Sequence, residues 1–201
     1  MRKALNVIIS LIVVAILVVI DQISKFWIVK NMVPYKDEKK VIDGVFSLRY
    51  IKNSGAAWGS FSGKTILLLV ISIILIIALL FVYKNIIFEK KYIELKICIL
   101  FILGGAIGNM IDRIRLGFVI DFIEAKFINF PIFNFADICV TVCMFVVLAL
   151  FLFKYKDEDM DIMFARNSKN KTSDKEDNID NEENKKIEEK DDKEEIEEID
   201  E

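Results

Sequence analysis

The sequence predicts an all-α membrane protein: a bundle of four transmembrane helices with a small β region outside the bilayer, followed by a polar tail. Three observations carry that prediction. Four apolar segments approach the roughly 20 residues that a helix needs to cross hydrocarbon. The 201-residue chain is 54% hydrophobic although its last quarter is almost wholly polar, so the apolar residues are concentrated upstream. Finally, four clusters that hold Asp, Asn, Lys and Arg residues, beginning at Asp21, Asn53, Gly104 and Gly117, fall at the same ends of the four segments.

The first segment, Leu5–Val29, follows Arg2 and Lys3. A basic start and the apolar run Val7–Ile20 also suit a secretory signal peptide, but no small-residue cleavage site follows. The run continues instead into Asp21-Gln22 and the interfacial-looking Lys25-Phe26-Trp27, so it reads as a span. Residues 41–52 alternate loosely and are rich in β-branched and aromatic residues, which predicts a short strand or hairpin on the outer surface. The second span is Thr65–Tyr83, with Ser72 its only polar interior residue. The third is Ile93–Ile111 and the fourth Ala136–Phe153.

Four crossings put both termini on one side and the long connections 30–64 and 112–135 on the other. Lysine counting does not orient the bundle, because Lys84, Lys90, Lys91, Lys96, Lys154 and Lys156 flank the termini side while the first long connection is lysine-rich as well. Two regions follow: a four-span domain over 1–156 and a tail over 157–201. The tail holds twenty acidic and eight basic residues, a net −12, so with the whole chain at −3 the membrane part carries +9. Such a composition buries too little apolar surface to offset ordering entropy, and the tail is expected to be disordered.

Composition also excludes chemistry. With no histidine, Ser-His-Asp and Cys-His catalysis and the HExxH zinc site are all impossible. Cys98, Cys139 and Cys143 lie inside apolar runs, where they read as small core residues rather than a disulfide framework. No metal, organic cofactor or nucleic-acid partner is implied. Hydrolysis, if any, rests on carboxylates, lysine or a metal site without histidine.

Charge within or beside a span costs about 2.5–3.5 kcal/mol on insertion scales unless paired or hydrated, which makes the polar clusters informative. Asp21 and Lys25, at i and i+4, share a helix face as an ion pair, and structural support is preferred to a direct role. Asn53-Ser54-Gly55-Ala56-Ala57 places small residues after the predicted strand, either as a simple turn or as a place for Asn53 to meet an extended substrate. In Gly104-Gly105-x-x-Gly108-Asn109-x-x-Asp112-Arg113, small residues suit tight helix packing, and Asn109, Asp112 and Arg113 share a face fit for an interhelical network. The last cluster pairs Asp121 with Asp137, which opens the final span behind Asn134. A helix N-terminal aspartate is often only a cap. That account leaves Asp121, set among Val119, Ile120, Phe122 and Ile123, unexplained. Two carboxylates sharing one proton are a known means of peptide hydrolysis without histidine, with Glu124 the reserve candidate for either role.

Taken in order, Asp21-Gln22-x-x-Lys25, Asn53-x-Gly55-Ala56-Ala57, Gly104-Gly105-x-x-Gly108-Asn109-x-x-Asp112-Arg113, Val119-x-Asp121-Phe122 and Phe133-Asn134-x-Ala136-Asp137 resemble the motifs of the lipoprotein signal peptidases over about the first three quarters of the chain. The resemblance implies an aspartic endopeptidase that removes signal peptides from bacterial prolipoproteins, cutting before a diacylglyceryl-modified cysteine. It implies Asp121 and Asp137 as catalytic, with Asp21, Lys25, Asn53, Gly55, Gly108, Asn109, Asp112, Arg113 and Asn134 lining or supporting the site. It also implies a multi-pass cytoplasmic-membrane protein, most simply a monomer, with cytoplasmic termini, an extracytoplasmic β region and an active site near the outer surface. Trp58-Gly59 departs from the family's expected phenylalanine and small polar residue, and the acidic tail is an extension. A rhomboid-type protease needs histidine, and a presenilin-type one needs Gly-x-Gly-Asp, which is lacking. An ion-coupled carrier using Asp21, Asp112, Asp121 and Asp137 as a relay, or a membrane scaffold, are the competing classes.

Overall fold

The computed structural model describes residues 2–55, 63–128 and 130–164; the Ala56-Ala57 and Trp58-Gly59 positions lie outside them, as does the tail beyond Phe164. The chain divides into two units, Met1–Lys156 and Asp157–Glu201. In the first, the helices are α1 (Arg2–Asn31), α2 (Thr65–Ile86), α3 (Ile93–Leu116) and α4 (Phe135–Phe153), and the strands are β1 (Glu38–Ile42), β2 (Phe46–Asn53) and β3 (Val119–Ala125). In the second, α5 (Asp157–Met163) is a single short helix.

Among the described residues four helices are long and apolar enough to cross a membrane: Ala4–Asn31, Thr65–Ile86, Lys90–Leu116 and Phe135–Phe153. The third runs past Ile111, where the expected span stops, because Asp112 finds partners on α1 and Arg113 a cavity, so neither ends the helix. At 1.5 Å per residue α1 is about 45 Å long, more than a hydrocarbon core requires, and its C-terminal turns reach the sheet. There Ile28 and Met32 pack with Tyr50, Ile120 and Phe122 into a small core beneath the sheet.

The third span is the centre of the bundle, packing against α1, α2 and α4. Its small residues make this possible. A Cβ at Gly104 would stand 2.7 Å from Leu17 Cβ, and one at Gly108 would stand 2.5 Å from Asp21 Oδ2, so the close approach of α1 to α3 at these positions needs the absence of a side chain. By contrast α2 is apolar on nearly all sides and packs mainly on α3, with Ser72 Oγ donating back to Leu68 O at 2.8 Å and so hiding its polarity.

The hairpin foreseen over 41–52 is realised as β1 and β2 around Asp43-Gly44, where Gly44 takes the φ of 73° that the turn requires. β3 was not foreseen. It completes an antiparallel sheet of order β1-β2-β3, with Ile51 opposite Asp121 and Asn53 opposite Val119. The segment after it returns along the free edge, where Ile123 and Phe133 exchange backbone bonds of 2.7 and 3.0 Å.

The disorder expected from residue 157 onward does not hold for α5. Asp157, Glu158 and Asp159 occupy its first turn, where carboxylates favour a helix N-terminus.

Candidate active site

Three local devices bring the polar clusters together at one end of the bundle. The first is strand pairing. Asn53 lies two residues beyond Ile51, the partner of Asp121, so both side chains stand on one face of the sheet. Asn53 Nδ2 donates to Asp121 Oδ2 at 2.7 Å, and Asn53 Oδ1 accepts from Gly55 N at 2.9 Å, which fixes the amide. Tyr35, which has a φ of 62°, steadies this strand end: its hydroxyl donates to Lys52 O at 2.9 Å and accepts from Lys52 N at 3.2 Å.

The second device is the start of α4. Asn134 and Asp137 form a capping box, with Asn134 Oδ1 accepting from Asp137 N at 3.0 Å and Asp137 Oδ2 accepting from Asn134 N at 3.1 Å. The cap reading of Asp137 is therefore correct but incomplete, since its Oδ1 also accepts from Asn109 Nδ2 at 2.8 Å. Fully buried Asn134 turns its Nδ2 toward both Asp121 Oδ1, at 2.6 Å, and Asn109 Oδ1, at 3.1 Å. Asn109 and Asn134 thus form a continuous hydrogen-bonded link from one aspartate to the other.

The third is a buried ion cluster behind that link. Lys25 Nζ lies 2.8 Å from Asp21 Oδ2 and 2.9 Å from Asp112 Oδ2, and donates to Asn109 Oδ1 at 2.8 Å. Lys25 and Asp21 are each only 1% exposed. The remaining oxygens are used too: Asp21 Oδ1 accepts from Ala136 N, Asp112 Oδ2 from Ile120 N, and Asp112 Oδ1 from Gln22 Nε2. One lysine therefore ties α1 to α3, and Asp21 ties both to the start of α4.

Asn53, Gly55, Asn109, Arg113, Asp121 and Asp137 open on a single cavity of about 360 Å³. Its other wall is apolar, supplied largely by Phe130, Pro131, Ile132 and Phe133. Asp21, Lys25, Gly108, Asp112 and Asn134 stand behind the cavity rather than in its lining. Glu124 is elsewhere: it is three residues from Asp121 on a strand, so its side chain takes the other face, where it accepts from Ser47 Oγ at 2.7 Å and pairs with Arg49 at 3.3 Å. It is no substitute for either aspartate. Gln22 stands in the Asp21-Gln22-x-x-Lys25 motif without a role read for it, and neither Tyr35 nor the apolar wall was singled out from the sequence; the aromatic run Phe127–Phe133 is the signal that was available.

Electrostatics distinguish Asp121. Burial and then the neighbouring Asp137 charge push its carboxyl up to about 7, against the opposing hydrogen bonds from Asn53 and Asn134. An acid held near neutrality, a second carboxylate linked to it, amide donors and a guanidinium in one cavity can move protons and bind a carbonyl. Among the described residues no cluster of acidic and cysteine side chains is arranged to hold a metal ion.

Comparison with known proteins agrees in both sequence and shape. A family model for signal peptidase II matches residues 13–153. A lipoprotein signal peptidase of Lactococcus lactis subsp. lactis strain IL1403 is 47% identical over 134 residues, 66% of this chain and 86% of that protein. Another, from Enterococcus faecalis strain ATCC 700802 / V583, is 42% identical over 140 residues, covering 68% and 84%. A solved bacterial membrane enzyme, determined by the in meso method at 2.3 Å, superposes with a TM-score of 0.65 at 31% identity, covering 74% of this chain and 92% of that one.

Proposed function

This chain belongs to the signal peptidase II family, and on that footing we propose that it removes signal peptides from bacterial prolipoproteins as an aspartic endopeptidase, cutting before a diacylglyceryl-modified cysteine. The carrying observation is that Asp121 and Asp137 face one cavity and are joined through Asn109 and Asn134. Residues 1–156 are the peptidase domain in this reading.

The pair shares one proton. Lys25 is already flanked by Asp21 and Asp112, so that cluster has no positive charge to spare for two further carboxylates. Full ionisation of Asp121 and Asp137 together would place like charges in a buried site, and the raised Asp121 carboxyl reflects that cost. In the reaction the ionised aspartate takes a proton from water while the water oxygen attacks the scissile carbonyl carbon. The protonated aspartate gives its proton to the carbonyl oxygen, and a tetrahedral diol forms with no covalent enzyme intermediate. Collapse of the diol breaks the C–N bond, the departing nitrogen takes the proton that came from water, and the shared proton returns to the dyad.

The supporting residues have distinct tasks. Asn53 and Asn134 hold the Asp121 carboxyl, Asn109 and the capping box hold that of Asp137, and Arg113 offers donors to a substrate carbonyl. The Asp21–Lys25–Asp112 cluster fixes Asn109 from behind. A substrate that is part helix and part lipid enters from the bilayer, with the apolar Phe130–Phe133 wall taking its hydrophobic side. The termini are cytoplasmic, the sheet and dyad sit at the extracytoplasmic surface, and the working unit is a monomer. The test is incubation of the purified protein in liposomes with a diacylglyceryl-modified prolipoprotein, followed by product mass. A product beginning at the lipidated cysteine supports the reading. No cleavage by folded protein, or cleavage elsewhere, overturns it.

A further inference from the structure

A second cavity, also of about 360 Å³, lies at the opposite end of the bundle, between α1, α2 and α3. Lys96 is thirteen residues from Asn109 along α3, so about 20 Å of helix separates this cavity from the dyad link. Its lining is zoned along α3. Lys96 stands one turn from the start of that helix, while Ile97, Leu100 and Phe101 continue the wall toward the middle of the bundle. Ser10 Oγ and Tyr83 OH, 2.5 Å apart, satisfy each other in the same wall.

The charge is what lacks an answer. Lys96 Nζ donates to Glu89 O at 2.9 Å and to Ile87 O at 3.3 Å, but no carboxylate pairs with it among the described residues. Other lysines contrast with it: Lys25, Lys40, Lys126 and Lys154 each have a carboxylate within ion-pair distance. An ammonium has three donors, so one donor and the whole positive charge remain for a ligand. The connection around it adds to the field, with Lys84, Lys90, Lys91 and Lys96 against Glu89 and Glu94.

We propose that this cavity binds one anionic phospholipid from the leaflet on the termini side, its phosphate on Lys96 and one acyl chain along Ile97, Leu100 and Phe101. A zwitterionic lipid would set its own ammonium beside Lys96 and this lysine-rich connection, and a soluble anion would leave the apolar wall wet. The lipid braces α1, α2 and α3 where the wall between them is open. This site is independent of the peptidase reading and needs no catalysis to detect.

The test is native mass spectrometry of the full chain released from micelles containing phosphatidylglycerol, phosphatidylcholine or inorganic phosphate. We expect one phosphatidylglycerol retained in preference to phosphatidylcholine, with Lys96→Gln weakening that binding about fivefold, as loss of one lysine near a lipid surface does. Lys96→Arg should retain it, and Lys40→Gln, in the sheet at the other end of the bundle, should leave it unchanged. Ile97→Trp, on a lipid-exposed position, fills the cavity with the cation intact and should also expel the lipid. Equal retention of both lipids, binding unaffected by Lys96→Gln and Ile97→Trp, or displacement of the lipid by inorganic phosphate would overturn the proposal.

Discussion

Replacing Lys25 by Met tests whether the site is held from behind. The side chain is 2% exposed and its ammonium contacts Asp21, Asp112 and Asn109 at 2.8, 2.9 and 2.8 Å. Methionine fills similar volume, so the packing term is small and the electrostatic one dominates. Two carboxylates would remain buried without a cation, and removing one partner of a buried ion pair costs about 3–5 kcal/mol. That loss is read as the difference in unfolding free energy in mixed micelles. The instructive comparison is the triple variant Lys25→Met with Asp21→Asn and Asp112→Asn. It removes the stranded charges but keeps an amide oxygen for Ala136 N and another for Ile120 N. It should recover most of the stability, because replacing a whole buried ion cluster is often neutral. A loss under about 1 kcal/mol for Lys25→Met, or a triple variant no more stable than the single one, would refute the coupling.

Three further predictions follow from the same geometry. Gly108→Ala puts a Cβ 2.5 Å from Asp21 Oδ2 and should destabilise by about 1–3 kcal/mol in the same unfolding assay, with cleavage falling alongside. The Asp121 carboxyl, raised from an ordinary 3.8 to about 7, predicts cleavage that declines as pH rises through about 7. Because its folded value lies above its unfolded one, the stability it contributes is complete below 3.8 and is lost as pH rises toward 7, so Asp121→Asn should gain on wild type across that window. Asn53→Ala removes the 2.7 Å bond that favours ionised Asp121, and its alkaline limb should move to higher pH while the rate falls about tenfold, as loss of a hydrogen bond to a charged group predicts.

Much of this was legible because hydrocarbon imposes a simple rule. Segments such as Thr65–Ile86 have almost no polar residue, and one-dimensional hydropathy finds them. The i, i+4 spacing of Asp21 and Lys25 likewise announced an ion pair, and Asp137 at the head of the last span announced a helix start, although the capping role of Asn134 was not read. Non-local pairing was hidden. β3 is buried along most of its length and carries Asp121 in its middle, so it shows no alternation, and only its register against Ile51 and Asn53 explains why an aspartate belongs there. The second carboxylate on Lys25, Asp112, depends on how closely α1 and α3 approach, which Gly108 permits but does not reveal. Glu124 was misjudged for a similar reason: three residues on a helix would keep it near Asp121, but three on a strand turn it away.

The most direct test of the central claim compares wild type with Asp121→Asn and Asp137→Asn on a diacylglyceryl-modified prolipoprotein in liposomes, at matched folding. Each substitution keeps one acceptor oxygen and turns the other into an NH2, so one donor loses its partner (Asn53 or Asn134 at Asp121, Asn109 or the Asn134 N–H at Asp137), a loss offset by removing one of two like buried charges. The account predicts cleavage by wild type alone, with both variants reduced by at least about a thousandfold while they unfold no more easily. Cleavage at the wild-type rate by either variant would contradict the paired-aspartate mechanism.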